Sequence, residues 1–132
     1  MDLFQTVLDN GEYRRVIFTG KHSQLAIMCL KPEEGLKDEY LESDKLVLVM
    51  SGRGKIKFGV LGEYGETDEI EQELKEGSLA GIAAGVKFDL GNNGRQDMKL
   101  AVVYAPSQLY PDEIDSSASQ EFWEEPTTVP AD

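Results

Sequence analysis

Asp38, Tyr40 and Lys45 place a carboxylate, a phenol and an amine within the stretch DEYLESDK, directly before the apolar run LVLVM. Desolvation favours the neutral amine of a lysine in apolar surroundings, which can then act as a base or attack a carbonyl group. A nearby phenol can supply a proton, and a carboxylate can compensate a buried ammonium. Together these residue types could supply an acid, a base and a nucleophile.

The usual nitrogen and sulfur ligands are scarce, because the chain has one histidine and one cysteine. His22 lies in a predicted turn, where we expect it to be exposed and inert, and Cys29 lies in the apolar run LAIMCL, where we expect a buried thiol. A displaced metal site would draw its ligands from His22, Asp38, Glu39, Glu42 or Asp44. Acidic runs are usually solvated and hold cations weakly.

The length and the net charge of the chain limit the number of domains and the kinds of partner that it can bind. The 132 residues fit one domain, and 13 basic against 25 acidic residues give a formal net charge of −12. Such a charge repels nucleic acid and anionic membrane surfaces. The apolar runs are too short to span a membrane, and MDLFQTVLDNGEYRR lacks the pattern of a signal peptide, so we expect a cytoplasmic protein.

Short segments rich in β-forming residues and separated by glycine, asparagine and aspartate predict an all-β fold, a sandwich or small barrel of antiparallel strands. We expect turns at Asn10-Gly11, at 19–22 and at 52–54. The predicted strands lie within YRRVIFTG, SQLAIMCLKP, KLVLVMSGRGKIKFGV, EIEQELKEG, SLAGIAAG, VKFDLGN and MKLAVVYAP.

Residues 46–50 are apolar on both faces, since Leu46, Leu48 and Met50 alternate with two valines. One face must line the interior, and the other needs cover from outside the sheet. We expect that cover to come from a second subunit in a homodimer. The terminal segments of the same chain are the alternative.

Two stretches resemble the signatures of the cupin superfamily. Residues 77–92 follow its second signature, and DEYLESDKLVLVMSG is similar to its first, which ends at Gly52. The resemblance implies an RmlC-like cupin barrel, a double-stranded β-helix or jelly roll, over residues 13–106. Residues 1–12 would form a short N-terminal segment, and residues 107–132 an extension that packs on the barrel or on a dimer mate, with Phe122 and Trp123 as anchors. The second signature is carried by Gly77, Ala83, Gly85, Phe88 and Asn92.

In the cupin family, three histidines and a glutamate hold a divalent metal ion in the barrel mouth. The resemblance assigns those positions to Asp38, Tyr40, Lys45 and Phe88. Phenylalanine has no lone pair to donate and an ammonium repels a dication, so we expect neither metal nor cofactor. By strand parity, Val47 and either Tyr104 or Val102 complete the pocket lining. Lys45 would then compensate Asp38 in a polar floor, unless it turns outward to Glu42 or Asp44.

These observations favour a metal-free protein that binds a small polar metabolite with an apolar portion, or one with a structural role. The first alternative is a metal-independent enzyme, an isomerase, epimerase or lyase that uses Lys45 and Tyr40. The second is a protein-interaction module that docks a partner through the outer sheet face or through Trp123.

Overall fold

The structure, a computed structural model, describes residues 1–61, 63–65 and 67–116. A short helix, α1 (Leu3–Asp9), is followed by strands β1 (Arg14–Thr19), β2 (Gln24–Leu30), β3 (Gly35–Glu39), β4 (Asp44–Ser51), β5 (Gly54–Leu61), β6 (Thr67–Leu74), β7 (Leu79–Ile82), β8 (Phe88–Gly91), β9 (Met98–Ala105) and β10 (Ile114–Asp115). Phe122, Trp123 and the rest of 117–132 lie outside the described residues, as does the docking predicted for them.

The strands form two antiparallel sheets that face each other around one core. The larger sheet has the order β10-β1-β2-β9-β4-β7, and the smaller has the order β3-β8-β5-β6. This arrangement confirms the all-β prediction and the double-stranded β-helix. Among the described residues, no helix has the length and apolar character that crossing a membrane requires.

The turn between β4 and β5 shows why a glycine in the sequence predicted it. Gly52 has a φ of 92°, and a Cβ atom there would lie 2.6 Å from the carbonyl oxygen of Asp97. Only glycine fits such a position without strain. The turn predicted at 52–54 is therefore confirmed.

Strand β4 divides its side chains between two environments. Lys45, Val47 and Val49 are buried between the sheets, whereas Leu46 and Leu48 point to the outer face. The interior is otherwise apolar over most of its length, with fully buried Leu30, Ile56, Leu74, Leu90, Met98 and Leu100.

Helix α1 covers part of the outer face of the larger sheet. Its Asp2 cap accepts a hydrogen bond from the backbone N–H of Gln5 at 3.0 Å, and Val7 is fully buried against the sheet. The cluster beneath the helix includes Leu48 and Met50 of β4. An N-terminal segment of the same chain therefore covers part of the outer face of β4, as the alternative to a second subunit predicted. Leu46 stays 44% exposed beyond the helix, and the homodimer remains a prediction.

The chain after β9 folds back over one end of the barrel, although the sequence there shows no strand pattern. The buried Gln24 side chain donates to the carbonyl of Leu109 at 2.8 Å and accepts from the N–H groups of Gln108 and Leu109 at 3.0 and 2.9 Å. Further along, β10 pairs with β1 at the sheet edge. We call residues 106–110 the closing segment.

Candidate functional site

One end of the barrel holds a cavity of about 240 Å³, which we call the mouth cavity. Its volume is below the range that is usual for pockets that bind drug-sized ligands, about 300–1,000 Å³. About eight water molecules occupy the same volume in the liquid. The cavity is suited to a small ligand. The walls combine apolar side chains with two phenols, a guanidinium, a carboxylate and an amide, from Tyr13, Arg14, Leu36, Glu39, Leu41, Tyr104, Gln108 and Leu109.

Lys45 lies behind the wall of the mouth cavity and is only 1% exposed. Its register partner on β9 is Tyr104, so both side chains leave the sheet on the same face. The amine nitrogen lies 4.7 Å from the ring centroid of Phe88 and 5.4 Å from that of Tyr104. Ring faces attract a cation at these distances. This burial excludes the orientation in which Lys45 turns outward to Glu42 or Asp44.

The protonation of Lys45 is set by its surroundings. Burial lowers the pKa of the Lys45 amine to about 7, against the attraction of the Glu39 carboxylate, and the Arg14 guanidinium lowers it further. A large fraction of the side chain is therefore a neutral amine at neutral pH. In this state it is a better base and nucleophile than an ordinary surface lysine.

The carboxylate in the wall of the mouth cavity belongs to Glu39. Asp38 and Tyr40, which the sequence analysis placed in the pocket, do not line this cavity. Strand β3 pairs Leu36 with Leu90 and Glu39 with Phe88, so β3 has one residue more than β8 between these pairs. Such a bulge reverses the alternation of side chains beyond it.

The bulge is centred near Asp38, which has a left-handed φ of 54° and donates its backbone N–H to Asp89 Oδ1 at 2.7 Å. Asp38 is exposed beside a separate cavity of about 110 Å³, and Tyr40 is 55% exposed. The structure therefore corrects the polar floor expected from the sequence, because strand parity counted from position 38 is off by one residue.

Arg14 closes the other side of the mouth cavity and ties it to β10. Its guanidinium donates two hydrogen bonds to Asp115 Oδ2, at 2.9 and 3.2 Å, and lies 3.5 Å from Glu113 Oε2. Burial alone would lower the pKa of Arg14, but the Tyr104 phenol and the Asp115 carboxylate raise it. The positive charge is thus already balanced by two carboxylates.

The two tyrosines of the mouth cavity stay protonated at neutral pH. Burial raises the pKa of the Tyr13 phenol and that of the Tyr104 phenol, in both cases against the effect of Arg14. Both hydroxyl groups therefore remain able to donate a hydrogen bond or a proton. Tyr104 was predicted to line the pocket, whereas Tyr13 was not.

The remaining predicted site residues lie deeper. Val47 and Val102 are register partners, both fully buried in the core one layer below Lys45 and Tyr104. Phe88 is 2% exposed and fills the space between β8 and the lysine. The structure thus brings Lys45, Phe88 and Tyr104 together.

The residues at the family's ligand positions do not fit a metal ion. Asp38 and Tyr40 face solvent, and the two positions that point inward carry an amine held against rings and a phenyl group. Phenylalanine cannot coordinate, and structural zinc needs four ligands. Within the described ranges, no group of three or more histidine, cysteine, aspartate and glutamate side chains could hold an ion. His22 is exposed in its turn, and Cys29 is buried, where burial raises its thiol pKa.

Comparison with known proteins identifies the barrel. No protein-family model matches the chain. An uncharacterized protein of Acanthamoeba polyphaga mimivirus is 33% identical over 113 residues, which are 84% of this chain and 67% of that protein. An RmlC-like cupin family protein of Methanocaldococcus jannaschii with a double-stranded β-helix fold aligns with a TM-score of 0.61, at 20% identity over 74% of this chain and 84% of that one. The chain therefore has the cupin fold, a double-stranded β-helix.

A protein from Bacillus halodurans has a crystal structure that matches this chain more fully. Its TM-score is 0.79 at 24% identity, and the match covers 88% of this chain and 86% of that chain. At this level of identity the likeness concerns the fold. The function of this chain must therefore be argued from its own residues.

Sequence reasoning missed four polar residues of the mouth cavity, Tyr13, Arg14, Glu39 and Gln108. Arg14 and Gln108 depend on contacts between residues about 100 and 84 positions apart, which no local pattern shows. Glu39 had a weak signal, because Lys37, Asp38 and Glu39 are consecutive polar residues where a regular strand would alternate.

Proposed function

We propose that this cupin binds a small polar molecule in its mouth cavity without a transition-metal ion. The observation that carries the proposal is the buried Lys45, held against two rings beside the cavity, where the family's metal ligands would lie. A buried amine with a lowered pKa stabilises the fold poorly, and perturbed groups of this kind cluster at functional sites.

The chemistry of the walls indicates the ligand. Tyr13 and Tyr104 offer hydroxyl groups, Gln108 an amide and Glu39 a carboxylate, while Leu36, Leu41 and Leu109 offer apolar contacts. A compound with several hydroxyl groups and a small apolar portion matches this set. The cavity volume of about 240 Å³ suits a ligand of the size of a small metabolite.

A thermal-shift screen of uncharged and weakly charged small metabolites tests the proposal. A ligand at a hundred times its Kd adds about 2.7 kcal/mol to the free energy of unfolding. We expect Glu39→Gln to abolish the shift and Asp38→Asn, the adjacent exposed position, to retain it. Equal loss in both variants, or a stoichiometric transition metal in purified protein, would overturn the proposal.

The homodimer and the cytoplasmic location remain proposals of the same kind. Leu46 on β4 and Leu79 on the edge strand β7 are 44% and 57% exposed on the outer face that α1 leaves open. A second copy would cover them and the unpaired edge. Light scattering tests this arrangement: the wild type should be a dimer and Leu79→Glu a monomer, and a monomeric wild type would refute it.

A further inference from the structure

The amine of Lys45 lies directly behind the wall of the mouth cavity, against the rings of Phe88 and Tyr104. Within the described part of the chain, these ring contacts are its partners and it makes no hydrogen bond. Tyr104 lines the mouth cavity, as does Glu39, whose carboxylate attracts the amine. The mouth cavity is therefore the side from which a small molecule would approach the amine.

We propose that Lys45 condenses with the carbonyl group of a small, uncharged aldehyde or ketone bound in the mouth cavity, forming a Schiff base. The proposal rests on the binding function proposed above and names its ligand class. Lys45 is the only buried lysine of the nine in the sequence, all of which lie within the described residues.

The condensation balances without any further reactant. The lone pair of the neutral amine forms a C–N bond to the carbonyl carbon, and the carbonyl oxygen takes up a proton. The nitrogen then loses one proton, which gives the carbinolamine. The hydroxyl group takes up a second proton and leaves as water while the C=N bond forms, and loss of the second proton from nitrogen gives the neutral Schiff base. Tyr104 and Tyr13 hold the protons that the oxygen needs, and Glu39 accepts the proton from nitrogen.

The charges at the mouth cavity favour an uncharged carbonyl compound over an oxo acid. Arg14 is already paired with Glu113 and Asp115, so it offers little attraction to a further carboxylate. Glu39 lies in the cavity wall and repels an anion. A hydroxyaldehyde instead finds hydroxyl and amide partners along the walls. The lowered pKa of Lys45, about 7, supplies the neutral amine that the first step requires.

Borohydride trapping tests the proposal with the full chain. The protein is incubated briefly with glycolaldehyde, reduced with sodium borohydride and analysed by intact mass and peptide mapping, with glyoxylate as the anionic comparison. We expect one adduct, at Lys45, formed at least about tenfold faster than at the surface lysines near pH 7.5, because ordinary lysines have a pKa of about 10.4. The rate should rise through pH 7, and glyoxylate should react less.

The variants separate failure of the covalent step from failure of binding. Lys45→Arg and Lys45→Met should lose the adduct, whereas Lys57→Arg, a half-exposed lysine on β5, should keep it. An adduct spread over surface lysines, with Lys45 spared, would overturn the Schiff base. If ligands without a carbonyl group still shift the melting temperature in that case, the binding function stands. If they do not, both proposals fall together.

Discussion

The two halves of the barrel interior are lined by inward-facing residues of the same strands, but one half is apolar and the other contains charged and polar groups. On β4, Val49 lies in the half that is filled by apolar side chains, and Lys45 lies four residues away on the same face, at the mouth cavity. The filled half gains stability from burial, because each enclosed apolar side chain contributes about 1.5–3 kcal/mol. The mouth half encloses an amine, a carboxylate and a guanidinium, which are costly to desolvate.

The contrast teaches that burial alone does not distinguish structural from functional positions. Lys45 and Leu90 are both inaccessible, and each is surrounded by the core cluster. Replacing them should nevertheless change stability in opposite directions. A polar group kept where an apolar one would stabilise more agrees with the binding role proposed for the mouth cavity.

The filled half should give the largest effect. Leu90→Ala removes a fully buried side chain between Leu36 and Ile56 and leaves a cavity, so we expect a loss of about 2–5 kcal/mol in the free energy of unfolding. Urea denaturation measures it. Leu46→Ala, on the half-exposed outer face, is the control and should cost under about 1 kcal/mol. Equal losses would mean that the interior is loosely packed.

Lys45→Met should act in the other direction. It removes a desolvated amine and keeps a flexible apolar chain, so we expect a gain of about 1–4 kcal/mol near neutral pH. In the wild type, the unfolded chain keeps the lysine proton up to about pH 10.4, while the folded chain releases it near pH 7. Stability of the wild type should therefore rise between these pH values, and the variant should lack that rise.

Denaturation curves at pH 6, 8 and 10 compare the two proteins. Lys45→Arg is the second variant, which keeps a charge that cannot be released and should be less stable than Lys45→Met at every pH. A destabilised Lys45→Met would show that the amine is needed for folding. The contrast between the two halves would then disappear.

The fold was predictable because its signals are local. The apolar, β-forming runs of β2, β4 and β9 and the glycine at position 52 are signals carried by residues within a few positions of one another. The site was predictable only in part, at Lys45, Phe88 and Tyr104. The bulge in β3 depends on the pairing of β3 with β8. The position of the closing segment depends on hydrogen bonds with the Gln24 side chain. Neither feature can be predicted from residues that are neighbours in the sequence. Helix α1 was missed for a related reason, since seven residues are stable only against the sheet.

The closing segment offers a finer test of the mouth half. Gln24→Met removes four hydrogen bonds, two of them to backbone N–H groups of the segment, so we expect a loss of about 1–3 kcal/mol. Amide exchange at residues 107–110 should accelerate while β4 and β8 stay protected. Gln96→Met, at an exposed loop position, is the control and should change neither. Faster exchange throughout the core would show that the segment does not open separately.

The smallest and sharpest effect concerns the register of β3. Glu39→Gln removes the carboxylate whose attraction opposes the burial of Lys45, so the pKa of the amine should fall further below about 7. Asp38→Asn should leave that pKa unchanged, because Asp38 is exposed beyond the bulge and asparagine tolerates its left-handed φ of 54°. NMR titration of the lysine side-chain ¹³Cε resonance measures both variants. If instead Asp38→Asn moves the pKa and Glu39→Gln does not, regular strand parity holds and the polar floor contains Asp38.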